Sequence, residues 1–273
     1  MVFPEYSEDI FIDNEASNGL ILFHGIFGNA FEQKTLAEKI LPGKLDIFIP
    51  TLPHHGTNHK DLENRTIKQY IDWGVTYIES KSEDYDNLFV FGLSMGAIIA
   101  ALASLQVKRL KGLILSSLPL SITRKALFLD EVRKLTKIKS IIYTIGYLRK
   151  SNFFTEDYLN WRRRNFNKMP LDLIMDIHSN LDEILEKYKK IDTPMLLFFG
   201  CKDPLINAKK SAEFIYHNAR SNIKKIYILD KCDHWIHFGK SIEKMCPIIN
   251  EYIEDLLQEK YPVDKPNISF LKI

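Results

Sequence analysis

The run NLFVFGLSMGAIIAALA, residues 87–103, begins as an unbroken apolar stretch, passes through Gly92-Leu93-Ser94-Met95-Gly96 and continues in good helix formers. Its first part reads as a buried parallel strand and its last part as a helix. A strand that feeds a helix this directly leaves room only for a sharp turn. The residue at the apex then sits in strained φ/ψ space, and its neighbours must lack side chains that would clash. Gly92 and Gly96 occupy those flanking positions and Ser94 the apex. A Gly-x-Ser-x-Gly pattern alone is only moderately specific, and the strand-turn-helix context is what gives it weight.

The same alternation extends on both sides. Short apolar runs at 19–24 (GLILFH), 46–50 (DIFIP), 112–117 (GLILSS), 195–200 (MLLFFG) and 225–230 (KIYILD) read as strands. Residues 31–41, 66–80, 95–107, 208–218 and 241–258 carry the apolar periodicity of helices that pack one face on a sheet. This order predicts an α/β fold with a doubly wound, mostly parallel sheet and right-handed crossovers. Residues 120–190 break the pattern with helix-like segments rich in Lys, Arg, Tyr and Phe and no convincing strand. The expected organisation is therefore a core of residues 1–119 and 191–273 with a helical cap inserted at 120–190. The tail from Pro262 to Ile273 is expected to be a surface extension.

Composition agrees with one globular body: 273 residues, 45% apolar and 26% charged, which excludes disordered and collagen-like classes. The first fifteen residues carry acids and a proline rather than a basic start and an apolar run, and no stretch reaches eighteen uninterrupted apolar residues. Cys201, Cys232 and Cys246 lack paired ligand spacing, which points to a reducing compartment. A cytoplasmic protein without stable membrane insertion is expected. The net charge of +2 is uneven, because residues 120–190 hold 15 Lys and Arg against 9 Asp and Glu. That excess either attracts anions or forms a solvated helix face, and it comes with no nucleic-acid recognition motif.

A serine hydroxyl needs a histidine to take its proton and a carboxylate to fix the imidazole tautomer. After the cap, the strand at 195–200 ends in Cys201-Lys202-Asp203-Pro204, and the strand at 225–230 leads to Asp233-His234-Trp235-Ile236-His237. Both loops fall at the carboxyl edge of the sheet, in the order serine, acid, histidine. Ser94 is thus the candidate nucleophile, Asp203 the acid and His234 the base. Asp192 and Asp230 remain alternative acids, and His237 an alternative base. An oxyanion hole would take one N–H from Met95 and another from Ile26, in the loop His24-Gly25-Ile26-Phe27-Gly28-Asn29, where Gly25 and Gly28 leave the backbone free to bend. His24 is assigned to loop support. His54, His55 and His59 lack carboxylate or cysteine partners at ligand spacing, so no metal is expected.

Together LILFHGIFGN, FGLSMG, GCKDPLI and CDHWIHF resemble, in order and spacing, the α/β-hydrolase carboxylesterases and monoacylglycerol lipases. The resemblance spans most of the chain outside the cap and implies the roles just given, with a lid that shapes the substrate pocket. One departure is Leu52-Pro53-His54-His55-Gly56-Thr57, where relatives often carry a Gly-His-Gly-like turn. The expected activity is hydrolysis of a carboxylic ester through an acyl-enzyme on Ser94, with no cofactor. Thioesterase, peptidase and carbon–carbon hydrolase activities use the same machinery, and a non-catalytic ligand-binding relative is the rival from another class. Expected partners are a small ester with an apolar or aromatic acyl group and, at most, a second copy in a homodimer; nucleic acid is not expected. Phe128, Tyr143, Tyr147, Phe153, Phe154, Tyr158 and Trp161 either line an acyl pocket or form the cap's own core. Arg162, Arg163 and Arg164 point in three directions on a helix, so at most two could serve one site.

Overall fold

A computed structural model describes residues 6–121, 123, 140–142, 154–166, 168–261 and 267–273. Among these residues the strands are β1 (Ile10–Ile12), β2 (Asn18–Phe23), β3 (Asp46–Ile49), β4 (Asn87–Leu93), β5 (Gly112–Ser116), β6 (Ser140–Ile142), β7 (Lys168–Pro170), β8 (Met195–Gly200), β9 (Ile223–Leu229) and β10 (Asn267–Lys272). The helices are α1 (Ala30–Ala37), α2 (Ile67–Ser82), α3 (Met95–Ala103), α4 (Glu156–Asn165), α5 (Leu171–Ser179), α6 (Leu181–Tyr188), α7 (Ala208–Asn218) and α8 (Ser241–Leu257). Eight strands form one sheet in the order β1-β3-β2-β4-β5-β8-β9-β10, parallel throughout except where β1 meets β3.

Alternate residues of the central strands supply two cores. Ile21, Phe23, Leu88, Val90, Leu197 and Phe199 face α2, α3 and α7. Leu20, Leu22, Phe89, Phe91, Leu196 and Phe198 face α1 and α8. Each such side chain, once buried, contributes about 1.5–3 kcal/mol relative to exposure. Both faces are covered, so the strands can be apolar at every position, which is why they read as continuous runs rather than alternating ones. Caps fix several helix starts: Asn29 accepts from the Glu32 N–H, Thr66 and Gln69 form a capping box, and Asn207 accepts from the Lys210 N–H.

Two expectations need correction, and one edge strand falls where the sequence shows no element. The tail is not a mere extension, because β10 lies parallel to β9, with Asn267 opposite Ile223 and Lys272 opposite Ile228, and satisfies its outer edge. Phe270 and Leu271 stay 39% and 48% exposed there, which is why the segment resembles surface. Residues 10–12 form the other edge strand, unforeseen because three residues show no period. Within 120–190, β6 and β7 pair antiparallel where no strand was anticipated. In that segment, Leu173 and Ile177 of α5 and Ile184 and Tyr188 of α6 join the cluster that packs α2 and α3. Tyr158, Leu159, Trp161 and Phe166 instead pack with Tyr6, Phe27 and Leu62 in a smaller cluster. Tyr158 and Trp161 are therefore packing residues. Phe128, Tyr143, Tyr147 and Phe153 lie outside the described residues. No helix among the described residues is long and apolar enough to cross a membrane.

The turn at Ser94 depends on two close approaches. A Cβ on Gly92 would stand 2.6 Å from Ala97 Cα, and one on Gly96 would collide with the Phe23 carbonyl and stand 2.6 Å from that of His24. Gly25 differs, since its φ is not positive and a Cβ there would meet nothing closer than 3.5 Å. Gly28, also free of positive φ, is needed for space: a Cβ would stand 2.9 Å from His24 Cβ. Gly96→Ala is accordingly expected to lower the unfolding free energy in urea by about 3 kcal/mol, and Gly25→Ala by less than about 1 kcal/mol. Equal losses would contradict this packing account.

Candidate active site

Ser94 lies between β4 and α3 with φ 52° and ψ −113°, and its N–H donates to the Ser116 carbonyl at the end of β5. Asp203 is on the loop from β8 to α7, and His234 on the loop from β9 to α8. The three side chains form one hydrogen-bonded line: His234 Nε2 is 3.0 Å from Ser94 Oγ, and His234 Nδ1 is 2.7 Å from Asp203 Oδ2. The carboxylate can only accept, so Nδ1 carries the proton and Nε2 is left to accept from the serine O–H. Asp203 Oδ1 accepts from the Leu205 and Ile206 N–H groups at 2.8 and 2.9 Å, which fixes the carboxylate plane.

Backbone contacts hold the two loops in register. The Lys202 N–H donates to the Cys232 carbonyl, and a Cβ on Gly200 would stand 2.7 Å from that same oxygen. Ser117 Oγ, from a residue with φ 50°, donates to the His234 carbonyl at 2.8 Å. The alternative acids are elsewhere. Asp192 is exposed at the opposite end of β8, and Asp230 accepts from Cys201 Sγ and pairs with Lys272. His237 is buried against the Phe238 ring, with neither ring nitrogen hydrogen-bonded to a described residue. Burial, helped by neighbouring His234, pushes its pKa down to about 3.

The loop after β2 is held by its carbonyls. The Gly25 carbonyl accepts from the Gly28 N–H and from His24 Nδ1 (2.8 Å) and that of Phe27 from Arg162 Nη1 (2.5 Å), while His55 stands with Nε2 2.8 Å from the Ile26 carbonyl and Nδ1 3.0 Å from that of Pro53. The backbone hydrogen bonds among the described residues include none donated by Ile26 or Met95. His24 Nε2 accepts from the Leu52 N–H at 2.9 Å, so its proton is on Nδ1. Burial, reinforced by His55, holds the His24 pKa well below the usual range. Burial also lowers that of His55 to about 4, against the Pro53 and Ile26 carbonyls, which favour protonation. His59 Nδ1 is 3.2 Å from the Asn165 carbonyl.

Sequence reasoning missed Glu32, His55, Ser117, Gly200 and the place of Arg162. Glu32 accepts from Tyr158 Oη at 2.5 Å and from Arg162, and burial raises its pKa against the pull of that guanidinium. Arg163 is exposed and reaches Glu156 and Asn160, and Arg164 is exposed. The signal for Arg162 was available, because Tyr158, Arg162 and Phe166 recur at four-residue spacing on one helix face.

Unfolded imidazoles take up protons near pH 6.5, whereas folded His55 and His237 stay neutral to about pH 4 and about pH 3. The unfolded state then binds more protons, so stability falls as the pH drops below about 6.5. Each buried imidazole should cost about 1.4 kcal/mol per pH unit between pH 6 and 5 in urea unfolding. A level profile there would contradict neutral burial.

Residues 19–241 match the model of the family described as serine aminopeptidase, S33. No curated protein matches the chain. Among solved structures, one of the metagenome-derived lipolytic enzymes LipS and LipT is 18% identical with a TM-score of 0.75, covering 94% of this chain and 100% of its own. The monoacylglycerol lipase of Paleococcus ferrophilus is 15% identical with a TM-score of 0.68, over 91% and 98%. Est1E of Butyrivibrio proteoclasticus, solved with ferulic acid, is 13% identical with a TM-score of 0.63, over 92% and 95%. At these identities the structures share the fold, while the family match covers most of the chain. This protein belongs to the serine aminopeptidase S33 family and is a hydrolase of the α/β-hydrolase fold.

Proposed function

We propose that the protein hydrolyses carboxylic esters with an apolar or aromatic acyl group, through an acyl-enzyme on Ser94. The observation that carries this reading is the hydrogen-bonded line from Asp203 through His234 to Ser94 Oγ. In the proposed mechanism Ser94 Oγ attacks the carbonyl carbon while His234 Nε2 takes its proton. The Ile26 and Met95 N–H groups receive the negative oxygen, and Asp203 stabilises the imidazolium through Nδ1–H. His234 then gives its proton to the leaving alcohol oxygen as the ester bond breaks. Water, deprotonated by the same nitrogen, attacks the acyl-enzyme, and Ser94 leaves with the proton returned. We place the cap at residues 120–190 between core segments 1–119 and 191–273, since the eight-stranded sheet is built by strands on both sides of that stretch.

Ester substrates are favoured by the names of the structural neighbours, which describe lipolytic enzymes, a monoacylglycerol lipase and a complex with ferulic acid. The family description favours a second reading, cleavage of a peptide bond next to a free amino terminus, by the same acyl transfer. A p-nitrophenyl ester series from two to sixteen carbons, a hydroxycinnamate ester and an aminoacyl p-nitroanilide separate the two. Wild-type protein is expected to hydrolyse the esters, with Ser94→Ala slower by roughly 10⁶-fold and Asp203→Asn by roughly 10⁴-fold. Faster cleavage of the anilide would select the peptidase. No turnover of either class, with no labelling of Ser94 by a fluorophosphonate, would overturn both.

A further inference from the structure

The loop Gly25–Asn29 has one hydrogen bond of its own, from the Gly28 N–H to the Gly25 carbonyl, and three consecutive carbonyls that end on side chains. A peptide unit is planar, so fixing a carbonyl also fixes the N–H of the following residue. The plane of the Phe27 carbonyl carries the Gly28 N–H, which donates to Gly25, and the plane of the Gly25 carbonyl carries the Ile26 N–H. Arg162 therefore acts on the Ile26 N–H through two peptide planes and one hydrogen bond. Its charge on the Phe27 oxygen also polarises that chain in the same direction.

His24 and His55 come from the loops that follow β2 and β3, whereas Arg162 reaches in from α4, between β6 and β7. Glu32 at the start of α1 holds the guanidinium, and Tyr158, one turn earlier on α4, shares its carboxylate. The Arg162 and Glu32 side chains are 2% and 5% exposed. A buried pair of this kind is a poor source of stability, because desolvation offsets the attraction, and here it brings Arg162, Glu32 and the Phe27 carbonyl together in one arrangement. We propose that Arg162 is a positioning residue of the oxyanion hole, so that α4 is a fixed wall of the active site and not a moving part of the lid. This rests on the reading of the protein as a serine hydrolase with Ile26 as an oxyanion donor.

The test uses the full chain with p-nitrophenyl butyrate and an alkyl trifluoromethyl ketone, which adds to the serine hydroxyl and places an oxyanion in the hole. The double variant Glu32→Gln/Arg162→Met leaves no lone buried charge and is expected to melt within a few degrees of wild type. Its kcat should fall roughly 10- to 100-fold with KM within about twofold, as a small misplacement of a catalytic group does. The ketone Ki should rise by the factor lost in kcat/KM. Arg162→Lys keeps a buried cation and should recover part of the loss, and the exposed neighbour variant Arg163→Ala should keep wild-type kcat. A double variant that melts normally and turns over at the wild-type rate would overturn the proposal while leaving the serine hydrolase reading intact. If the double variant fails to fold, Arg162→Lys decides: reduced kcat at unchanged KM supports the proposal, and wild-type kcat and Ki overturn it. A wild-type protein that neither hydrolyses the ester nor binds the ketone would remove the underlying reading and this one with it.

Discussion

Because Gly96 has no side chain, α3 can begin with its backbone against the Phe23 and His24 carbonyls, and that contact holds Ser94 in a left-handed conformation. Such a conformation costs about 1–3 kcal/mol and persists only where the surroundings over-determine it. Here Gly92 lets the first turn of α3 fold back over the end of β4, and the Ser116 carbonyl ties the Ser94 N–H to the neighbouring strand. The hydroxyl is thereby presented at the carboxyl edge of the sheet, at the N-terminus of α3. The same contact brings the His24 end of β2 beside that helix, so the loop carrying Ile26 starts next to the serine.

Parallel strands place every following loop at that same edge, which is how residues 94, 203 and 234 meet across 140 positions of chain. β8 and β9 are neighbours, so the Asp203 and His234 loops can touch at Gly200 and share the Lys202–Cys232 hydrogen bond. β5 lies between the serine strand and the acid strand, and its end contributes twice, once through the Ser116 carbonyl and once through Ser117 Oγ. Fixed backbone, rather than side-chain packing, sets most of this geometry. The exception is the Gly25–Asn29 loop, whose carbonyls are held by buried imidazoles and a guanidinium.

Much of this was legible in residues 87–103 and in the apolar runs around them, because strands covered on both faces and a glycine-flanked turn leave composition and spacing few alternatives. Asp203 and His234 could be placed because each follows such a run directly. The edge strands were not legible: Ile10–Ile12 is too short to show a period, and in Asn267–Lys272 the adjacent apolar residues Phe270 and Leu271 are both exposed, so no alternation marks the strand. Glu32, His55 and Arg162 were missed for another reason. Their roles exist only in contacts between segments far apart in sequence, 130 residues in the case of Arg162 and Glu32. Gly25 is not a bending glycine: its φ is not positive, and the loop is shaped by the groups that hold its carbonyls.

In the proposed mechanism Ser94 carries the acyl group between the two halves of the reaction. Mixing the protein with excess p-nitrophenyl acetate, quenching in acid within the first turnover and mapping the peptides by mass spectrometry tests it directly. One acetyl group per chain is expected on the peptide that contains Ser94, with a matching burst of p-nitrophenol. Steady turnover with no acylated Ser94, or with the acetyl group on another side chain, would contradict it.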